Sequence, residues 1–178
     1  MFLYDQPDLK EKFLSFSENR PYSMTKRVLI VCAGNICRSP MGEALWNHRR
    51  MEFGIPTSAV SAVSAGFAAI VGEAVHPIAK HLLLEKGIDV SGHRSRPLEP
   101  AMCREADLVL VMETWHKARL QRLAPFAWGR IYTLGHWQGY EIPDPYNASE
   151  ATFRSVFQLI DQGVYEWLRK LDSVVGNS

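Results

Sequence analysis

The chain has 178 residues, of which 47% are hydrophobic and 22% are charged, and its formal net charge is +1. This profile is typical of one globular domain, and the near-neutral charge disfavours a nucleic-acid or anionic-membrane partner. No apolar run approaches the ~20 residues that span a bilayer, so we expect no membrane insertion. The acidic start MFLYDQPDLKEKF does not have the character of a secretory signal. We therefore expect a cytoplasmic protein.

The first residues differ from the rest of the chain. Residues 1–24 combine mixed charge with two prolines, Pro7 and Pro21, and every motif described below follows them. We therefore predict an N-terminal extension over residues 1–24 and one domain over residues 25–178. Three cysteines without an export signal favour reduced thiols over a disulfide scaffold.

Short aliphatic runs alternate along the chain with segments of helical period, which predicts βαβ units and a parallel sheet. The runs are nearly uninterrupted, as expected of strands that helices cover on both faces. The predicted strands are residues 27–31, 59–64, 107–112 and 130–134. The predicted helices are residues 40–53, 77–86, 100–105, 113–123 and 149–171. The sequence thus predicts an α/β fold, a Rossmann-like three-layer arrangement with a four-stranded parallel sheet and helices on both faces.

The first predicted strand leads into the loop CAGNICRSP, residues 32–40. Cys32 follows the strand directly and is therefore expected at the carboxyl end of the sheet, where open α/β folds bind ligands. The loop is expected to direct backbone N–H groups and the positive end of a helix at an anion. Gly34 and Asn35 tolerate the left-handed backbone angles that such a loop requires. Arg38 adds a planar fork that binds two phosphate oxygens.

The end of the loop predicts how the next helix starts and how the thiol behaves. Ser39 is predicted as the N-cap and Pro40 as the first helical residue. A thiol beside a helix N-terminus and a guanidinium ionises readily, so we expect Cys32 to be a thiolate nucleophile near neutral pH. Cys32 and Arg38 enclose five residues, which gives the pattern C-x5-R-S.

This loop resembles the signature loop of the low-molecular-weight protein tyrosine phosphatases, in particular the bacterial members that act in exopolysaccharide regulation. Other stretches agree with the resemblance: SAG at 64–66, GIDVSGHRSR at 87–96, LVLVME at 108–113 and EIPDPY at 141–146. The resemblance extends from about Lys26 to the last predicted helix. It implies a phosphotyrosine phosphatase that works through a phosphocysteine intermediate.

The resemblance also implies roles for individual residues. The phosphate-binding loop would consist of Cys32, Ala33, Gly34, Asn35, Ile36, Cys37 and Arg38. Cys32 would attack phosphorus, while Arg38 and the loop N–H groups would bind the phosphoryl oxygens. Ser39 would hydrogen-bond the Cys32 sulfur and make it a better leaving group. Asp144 would protonate the tyrosyl oxygen and then activate water as a base.

Residues around the loop receive supporting roles from the same resemblance. Asn35 would hold the loop together with His93, and Tyr146 would wall the pocket and could itself be phosphorylated. Ile70 lies in the expected pocket rim, residues 66–72, and favours a kinase tail rich in phosphotyrosine. The expected partner is thus a phosphotyrosine protein such as a tyrosine autokinase, acting in exopolysaccharide or capsule regulation. A monomer without metal or organic cofactor is expected.

Cys37 suggests redox protection, because a reversible disulfide with Cys32 would shield the nucleophile from over-oxidation. Two other functions stay open. An arsenate reductase shares this loop and fold but needs a second, closely spaced cysteine pair, whereas Cys103 is alone. A noncatalytic phosphotyrosine reader, or a zinc site built from Cys32, Cys37, Cys103 and His93, is the other alternative. A P-loop NTPase is excluded by the absence of G-x4-G-K-S/T.

Overall fold

The computed structural model describes residues 26–175. The predicted N-terminal extension, residues 1–24, lies outside them. The described residues form one four-stranded sheet with the order β2-β1-β3-β4, in which every pair of neighbours is parallel. Its strands are β1 (Lys26–Cys32), β2 (Val60–Gly66), β3 (Leu108–Val111) and β4 (Ile131–Thr133). The predicted fold class is confirmed.

Five α-helices and one 3₁₀ helix connect and cover the strands within residues 26–175. They are α1 (Arg38–Arg49), α2 (Pro77–Glu85), α3 (Pro100–Glu105), α4 (Thr114–Leu123), the 3₁₀ helix (Pro125–Arg130) and α5 (Glu150–Val175). No helix in this part of the chain is both long enough and apolar enough to cross a membrane.

Alternate residues of β1 serve two separate cores, because successive side chains of a strand point to opposite faces. Val28, Ile30 and Cys32 belong to the larger core, which is completed by apolar residues of α1, α2 and α5. Leu29 and Val31 belong to the smaller core with residues of α3, α4 and the 3₁₀ helix. The sheet therefore has helices on both faces, and β1 is buried at its centre with its carboxyl end beside β2 and β3.

Two of the predicted boundaries are wrong at the first helix, which spans Arg38–Arg49 rather than residues 40–53. The helix ends early because a turn follows it, in which Gly54 adopts a positive φ of 67° and its N–H donates to the Met51 carbonyl. The Arg50 guanidinium also donates to the Ile55 carbonyl and fixes this turn. The 3₁₀ helix Pro125–Arg130 was not predicted, since it has no clear apolar period.

Candidate active site

Cys32 is the last residue of β1, and its side chain is buried with 3% exposure. The predicted N-cap at Ser39 is wrong, because α1 begins at Arg38, two residues earlier than predicted, and Cys37 occupies the cap position without a side-chain cap bond. The Ser39 hydroxyl instead lies 3.0 Å from Cys32 Sγ. The first turn of the helix thus presents a hydroxyl to the thiol rather than to its own backbone.

Asn35 organises the loop between β1 and α1. It adopts a positive φ of 55°, as its residue type predicted, whereas Gly34 does not adopt one. Its backbone N–H donates to Cys32 Sγ at 3.3 Å, so a main-chain dipole points at the sulfur. Its side-chain amide donates to Ser39 Oγ at 2.9 Å and to Ser64 Oγ at 2.8 Å.

The remaining polar atoms of Asn35 connect the loop to a neighbouring segment of the chain. Its Oδ1 accepts the Arg96 backbone N–H at 2.9 Å, and its carbonyl lies 3.0 Å from His93 Nε2. The structure therefore brings Asn35 and His93 together. A fully buried amide with every partner in place is rigid, because losing any one bond leaves a buried polar group unsatisfied.

Gly66 has a structural role that the sequence interpretation missed, although it lies in the quoted SAG stretch. It pairs with Cys32 in the β1–β2 register. A side chain here would place Cβ 2.6 Å from the Ala33 carbonyl oxygen and 2.8 Å from the Asn35 backbone nitrogen. Only glycine lets β2 approach the loop this closely. The next residues then hold the loop, since Phe67 N–H donates to the Cys32 carbonyl at 3.0 Å.

Arg38 is 1% exposed, and its guanidinium charge is compensated from two sides. Its Nη1 donates to Glu113 Oε1 at 2.5 Å and to the Ile142 carbonyl at 3.0 Å. Its Nη2 donates to Asp144 Oδ2 at 2.5 Å. Buried arginines of this kind need such partners, because an unpaired buried charge is strongly unfavourable. Arg38 and Asp144, which are 106 residues apart in sequence, are thus in direct contact.

Glu113 is a second residue that the sequence interpretation missed. It lies two residues beyond the end of β3, the strand next to β1, so its carboxylate belongs to the same edge of the sheet as Cys32. Its other oxygen accepts the Trp115 indole N–H at 3.0 Å. The signal was present in LVLVME, because ligands of open α/β folds bind just beyond the carboxyl ends of the strands, where this acidic residue lies.

His116 lies behind the ion pair of Arg38 and Glu113, with its Nδ1 3.9 Å from Glu113 Oε1. Burial and then the positive charge of Arg38 lower the pKa of His116 to about 4. The imidazole is therefore neutral near pH 7 and does not compete with Arg38 for the Glu113 carboxylate. The sequence interpretation gave this histidine no role.

Asp144 lies at the mouth of the site, and its side chain is 44% exposed. Its Oδ1 accepts the Tyr146 backbone N–H at 3.1 Å, which fixes the turn of the DPY segment. The fully buried Ile142 attaches this segment to the fold, since its N–H donates to the Met112 carbonyl at 2.9 Å. The carboxylate is therefore held over the loop yet remains accessible to solvent.

These groups surround one pocket of about 260 Å³. Its lining residues are Cys32, Ala33, Gly34, Ile36, Cys37, Arg38, Ala68, Ile70, Glu73, Asp144 and Tyr146. Ile70 and Tyr146 are 71% and 55% exposed, so they form the rim, while the Cys32 sulfur lies at the base. Glu73 lines the pocket and is a third residue, after Gly66 and Glu113, whose role the sequence interpretation missed.

The three cysteines are free thiols in the described structure, and their surroundings differ. Burial, then the negative charges of Cys32 and Asp144, raise the pKa of Cys37 to about 12, against the opposing effect of Arg38. Cys103 is fully buried in the smaller core, on the other face of the sheet from Cys32 and Cys37. The four suggested zinc ligands are therefore not brought together, and no such group of ligands occurs within residues 26–175.

The parallel sheet, the buried thiol at its edge and the anion-binding loop define an α/β protein with a phosphatase-type site. The model of the low molecular weight phosphotyrosine protein phosphatase family matches residues 27–176. The chain belongs to this family.

Individual relatives are similar over nearly their whole length. The low molecular weight protein-tyrosine-phosphatase Wzb of Escherichia coli K12 is 36% identical over 151 residues, which are 84% of this chain and 98% of that protein. The crystal structure of Wzb from E. coli K30 with sulphate has a TM-score of 0.74 and 38% identity, covering 83% of this chain and 99% of that one. The YwlE arginine phosphatase from Geobacillus stearothermophilus has a TM-score of 0.76 and 31% identity, covering 83% and 94%.

Proposed function

We propose that this protein is a protein-tyrosine phosphatase that transfers the phosphoryl group first to Cys32 and then to water. The observation that carries the proposal is the arrangement of Cys32, Arg38 and Asp144 around one pocket of about 260 Å³. A nucleophile, a cation for the phosphoryl oxygens and a carboxylic acid at the mouth are the groups that such a reaction needs.

In the first step, Cys32 Sγ attacks phosphorus and the bond between phosphorus and the tyrosyl oxygen breaks. Asp144 supplies the proton to that oxygen, so that tyrosine leaves as the neutral phenol. Arg38 and the backbone N–H groups of the loop hold the phosphoryl oxygens, where preorganised donors stabilise the charge of the transition state. The Asn35 N–H, which points at Sγ at 3.3 Å, stabilises the attacking thiolate.

In the second step, water attacks phosphorus, Asp144 accepts a proton from it, and the bond between phosphorus and sulfur breaks. The Ser39 hydroxyl donates to the departing Cys32 sulfur, which lies 3.0 Å away. The Asn35 amide donates to the same hydroxyl oxygen at 2.9 Å and thereby directs the hydroxyl proton away from Asn35. Inorganic phosphate and the free thiolate complete the cycle.

The depth of the pocket favours phosphotyrosine over phosphoserine. Because Cys32 is 3% exposed and lies below the exposed Ile70 and Tyr146, a phosphorylated side chain must be long to reach it. The aromatic ring of phosphotyrosine also has apolar and aromatic surface to pack on at this rim. Ile70 and Tyr146 thus act as the walls of the substrate pocket, and Tyr146 is itself accessible to a kinase.

We extend the proposal to the partner and the setting on the strength of the sequence resemblance. The substrate is a phosphotyrosine protein, for which a bacterial tyrosine autokinase in exopolysaccharide or capsule regulation is the proposed candidate. The protein works as a cytoplasmic monomer and uses no metal or organic cofactor. The similarity to Wzb, named as a protein-tyrosine-phosphatase, supports a phosphotyrosine substrate.

The test is phosphate release by the full-length chain from matched phosphotyrosine, phosphoserine and phosphoarginine peptides, with arsenate reduction measured alongside. We expect hydrolysis of the phosphotyrosine peptide and at most trace activity on the others. Binding of phosphotyrosine without hydrolysis would make the protein a reader. Activity on phosphoarginine or on arsenate alone would assign it to the arginine phosphatases or to the reductases.

Replacing Glu113 tests whether this carboxylate positions Arg38. In Glu113→Gln the side chain keeps its size but loses the charge that compensates the buried guanidinium. We expect kcat/KM for a phosphotyrosine peptide to fall roughly 10- to 100-fold, since a hydrogen bond to a charged group contributes ~1.5–3 kcal/mol and each 1.36 kcal/mol is a factor of ten. Steady-state kinetics with the phosphotyrosine peptide give the result.

Trp115→Phe is the matched control, because it removes the other hydrogen bond of Glu113 and leaves the contact with Arg38 in place. We expect this variant to stay within about threefold of the wild type, the loss expected from one exposed hydrogen bond. A Glu113→Gln enzyme that matches the wild type would contradict the positioning role.

Cys37 is proposed as the partner of Cys32 under oxidation. Hydrogen peroxide oxidises the Cys32 thiolate to the sulfenic acid, and the Cys37 sulfur then displaces water to give the disulfide. A pKa of about 12 keeps Cys37 a neutral thiol, so oxidation begins at Cys32. We expect peroxide to inactivate the wild type reversibly, with activity restored by dithiothreitol. In Cys37→Ser, further peroxide should oxidise the Cys32 sulfenic acid to the sulfinic acid, which dithiothreitol does not reduce. Equal recovery of both proteins would contradict the proposal.

A further inference from the structure

Glu73 places a negative charge at the mouth of the catalytic pocket. The other charged residues that line this pocket are Arg38 and Asp144, which contact each other. Glu73 is exposed, and its carboxylate forms no ion pair with any residue between 26 and 175. Among the charged residues that line the pocket, Glu73 is therefore the one whose carboxylate is available to interact with a bound substrate.

The backbone beneath Glu73 is fixed, so its position at the rim is defined. The buried Ser95 accepts the Glu73 N–H on its Oγ at 2.9 Å, and its own N–H donates to the Glu73 carbonyl at 2.8 Å. The Gly72 N–H also donates to the Ser95 carbonyl at 2.9 Å, and Ser95 Oγ donates to the Ile70 carbonyl. Four bonds to one buried residue thus hold the rim segment from residue 70 to residue 73.

The two arginines next to Ser95 in the sequence do not form an ion pair with Glu73. Arg94 and Arg96 flank Ser95, but each guanidinium donates to backbone carbonyls. Arg94 binds the carbonyls of Ser91 and His93, and Arg96 binds that of Ser64. The Glu73 carboxylate is therefore free to act on residues that flank a phosphotyrosine in the pocket.

We propose that Glu73 makes this enzyme select phosphotyrosines that have a lysine or arginine beside them over those that have an aspartate or glutamate. The inference rests on the proposed phosphatase function. A bound phosphoryl group fills the base of the pocket, so the neighbouring residues of the substrate lie over the rim near Glu73. A basic neighbour pairs with the carboxylate, whereas an acidic neighbour is repelled by it.

Two phosphotyrosine peptides that differ only by lysine or glutamate next to the phosphotyrosine provide the test. At low ionic strength we expect the wild type to show a lysine-to-glutamate ratio of kcat/KM of about five, and this ratio should shrink as salt is added. Glu73→Gln should bring the ratio close to one, and Glu73→Lys should invert it. Glu99→Gln, at an exposed glutamate whose side chain does not cap its helix, is the matched control and should keep the wild-type ratio.

The outcomes separate this inference from the function on which it rests. If the wild type hydrolyses both peptides with a ratio that Glu73→Gln and Glu73→Lys leave unchanged, the selectivity role is wrong while the phosphatase assignment stands. If the wild type hydrolyses neither peptide, the assignment itself fails. Loss of phosphoarginine hydrolysis in Glu73→Gln, with an unchanged peptide ratio, would overturn the inference in favour of a carboxylate that binds a substrate guanidinium.

Discussion

We expect Cys32→Ser to abolish turnover of a phosphotyrosine peptide while the peptide still binds. A serine hydroxyl is a far weaker nucleophile than a thiolate in this position, and removing the nucleophile of a covalent mechanism costs roughly 10⁴-fold or more in kcat. The anion site itself survives, because Arg38 and the loop N–H groups do not depend on sulfur. Phosphate release and peptide binding by calorimetry, measured on the same sample, give the result.

Cys103→Ser is the matched control, since it makes the same change at a buried thiol of the other core. Provided that thermal unfolding shows it folded, it should keep wild-type kcat. A Cys32→Ser protein that still turns over would contradict the covalent mechanism, and a Cys103→Ser protein that is folded but inactive would show that the assay reports on thiols in general.

We expect Asp144→Asn to slow the first step by a factor that depends on the leaving group. We expect kcat for the phosphotyrosine peptide to fall roughly 10²–10⁴-fold, the usual contribution of a general acid. The loss should be much smaller for p-nitrophenyl phosphate, because the stable p-nitrophenolate anion leaves without being protonated. The comparison of the two substrates therefore distinguishes proton transfer from a change in phosphate binding.

Glu141→Gln is the control for Asp144, because it lies in the same segment but binds Thr114 rather than Arg38. We expect near wild-type kcat for both substrates. An Asp144→Asn enzyme that loses equal activity on both substrates would show that Asp144 acts through Arg38 and not as an acid.

The sheet could be predicted because its strands are buried on both faces and read as unbroken aliphatic runs. Val28, Leu29, Ile30 and Val31 are all fully buried, and no alternation obscures the strand. The 3₁₀ helix Pro125–Arg130 could not be predicted in the same way, because its short turns have no lasting periodicity. The N-cap was wrongly predicted at Ser39 for a different reason. Its residue type suits an N-cap, but its hydroxyl contacts Cys32 and Asn35 instead.

Some residues of the site are close together in the sequence, and others meet only in the folded chain. The loop from Cys32 to Arg38 is continuous in sequence, so its chemistry could be interpreted from the residues themselves. Asp144 was assigned only through the family resemblance, because its contact with Arg38 spans 106 residues. Glu113, 75 residues from Arg38, was missed for the same reason.

The roles of Gly66 and Glu73 were missed because they depend on which segments lie next to these residues in the fold, and no sequence motif indicates this. The need for glycine at position 66 follows from a carbonyl oxygen 2.6 Å from an added Cβ, which is visible only when β2 is placed beside the loop. Glu73 lines the pocket because hydrogen bonds with Ser95 hold its segment at the rim. Both roles arise from contacts between segments that are distant in the chain.

The central claim is that the phosphoryl group passes through Cys32, and a single-turnover experiment tests it most directly. Excess wild-type enzyme is mixed with a phosphotyrosine peptide, denatured at successive times and analysed by mass spectrometry of the peptide that contains Cys32. The account predicts a phosphate on Cys32 that appears as tyrosine is released and disappears as inorganic phosphate forms. Release of phosphate with Cys32 unmodified at every time, or with the phosphate on another residue, would contradict it.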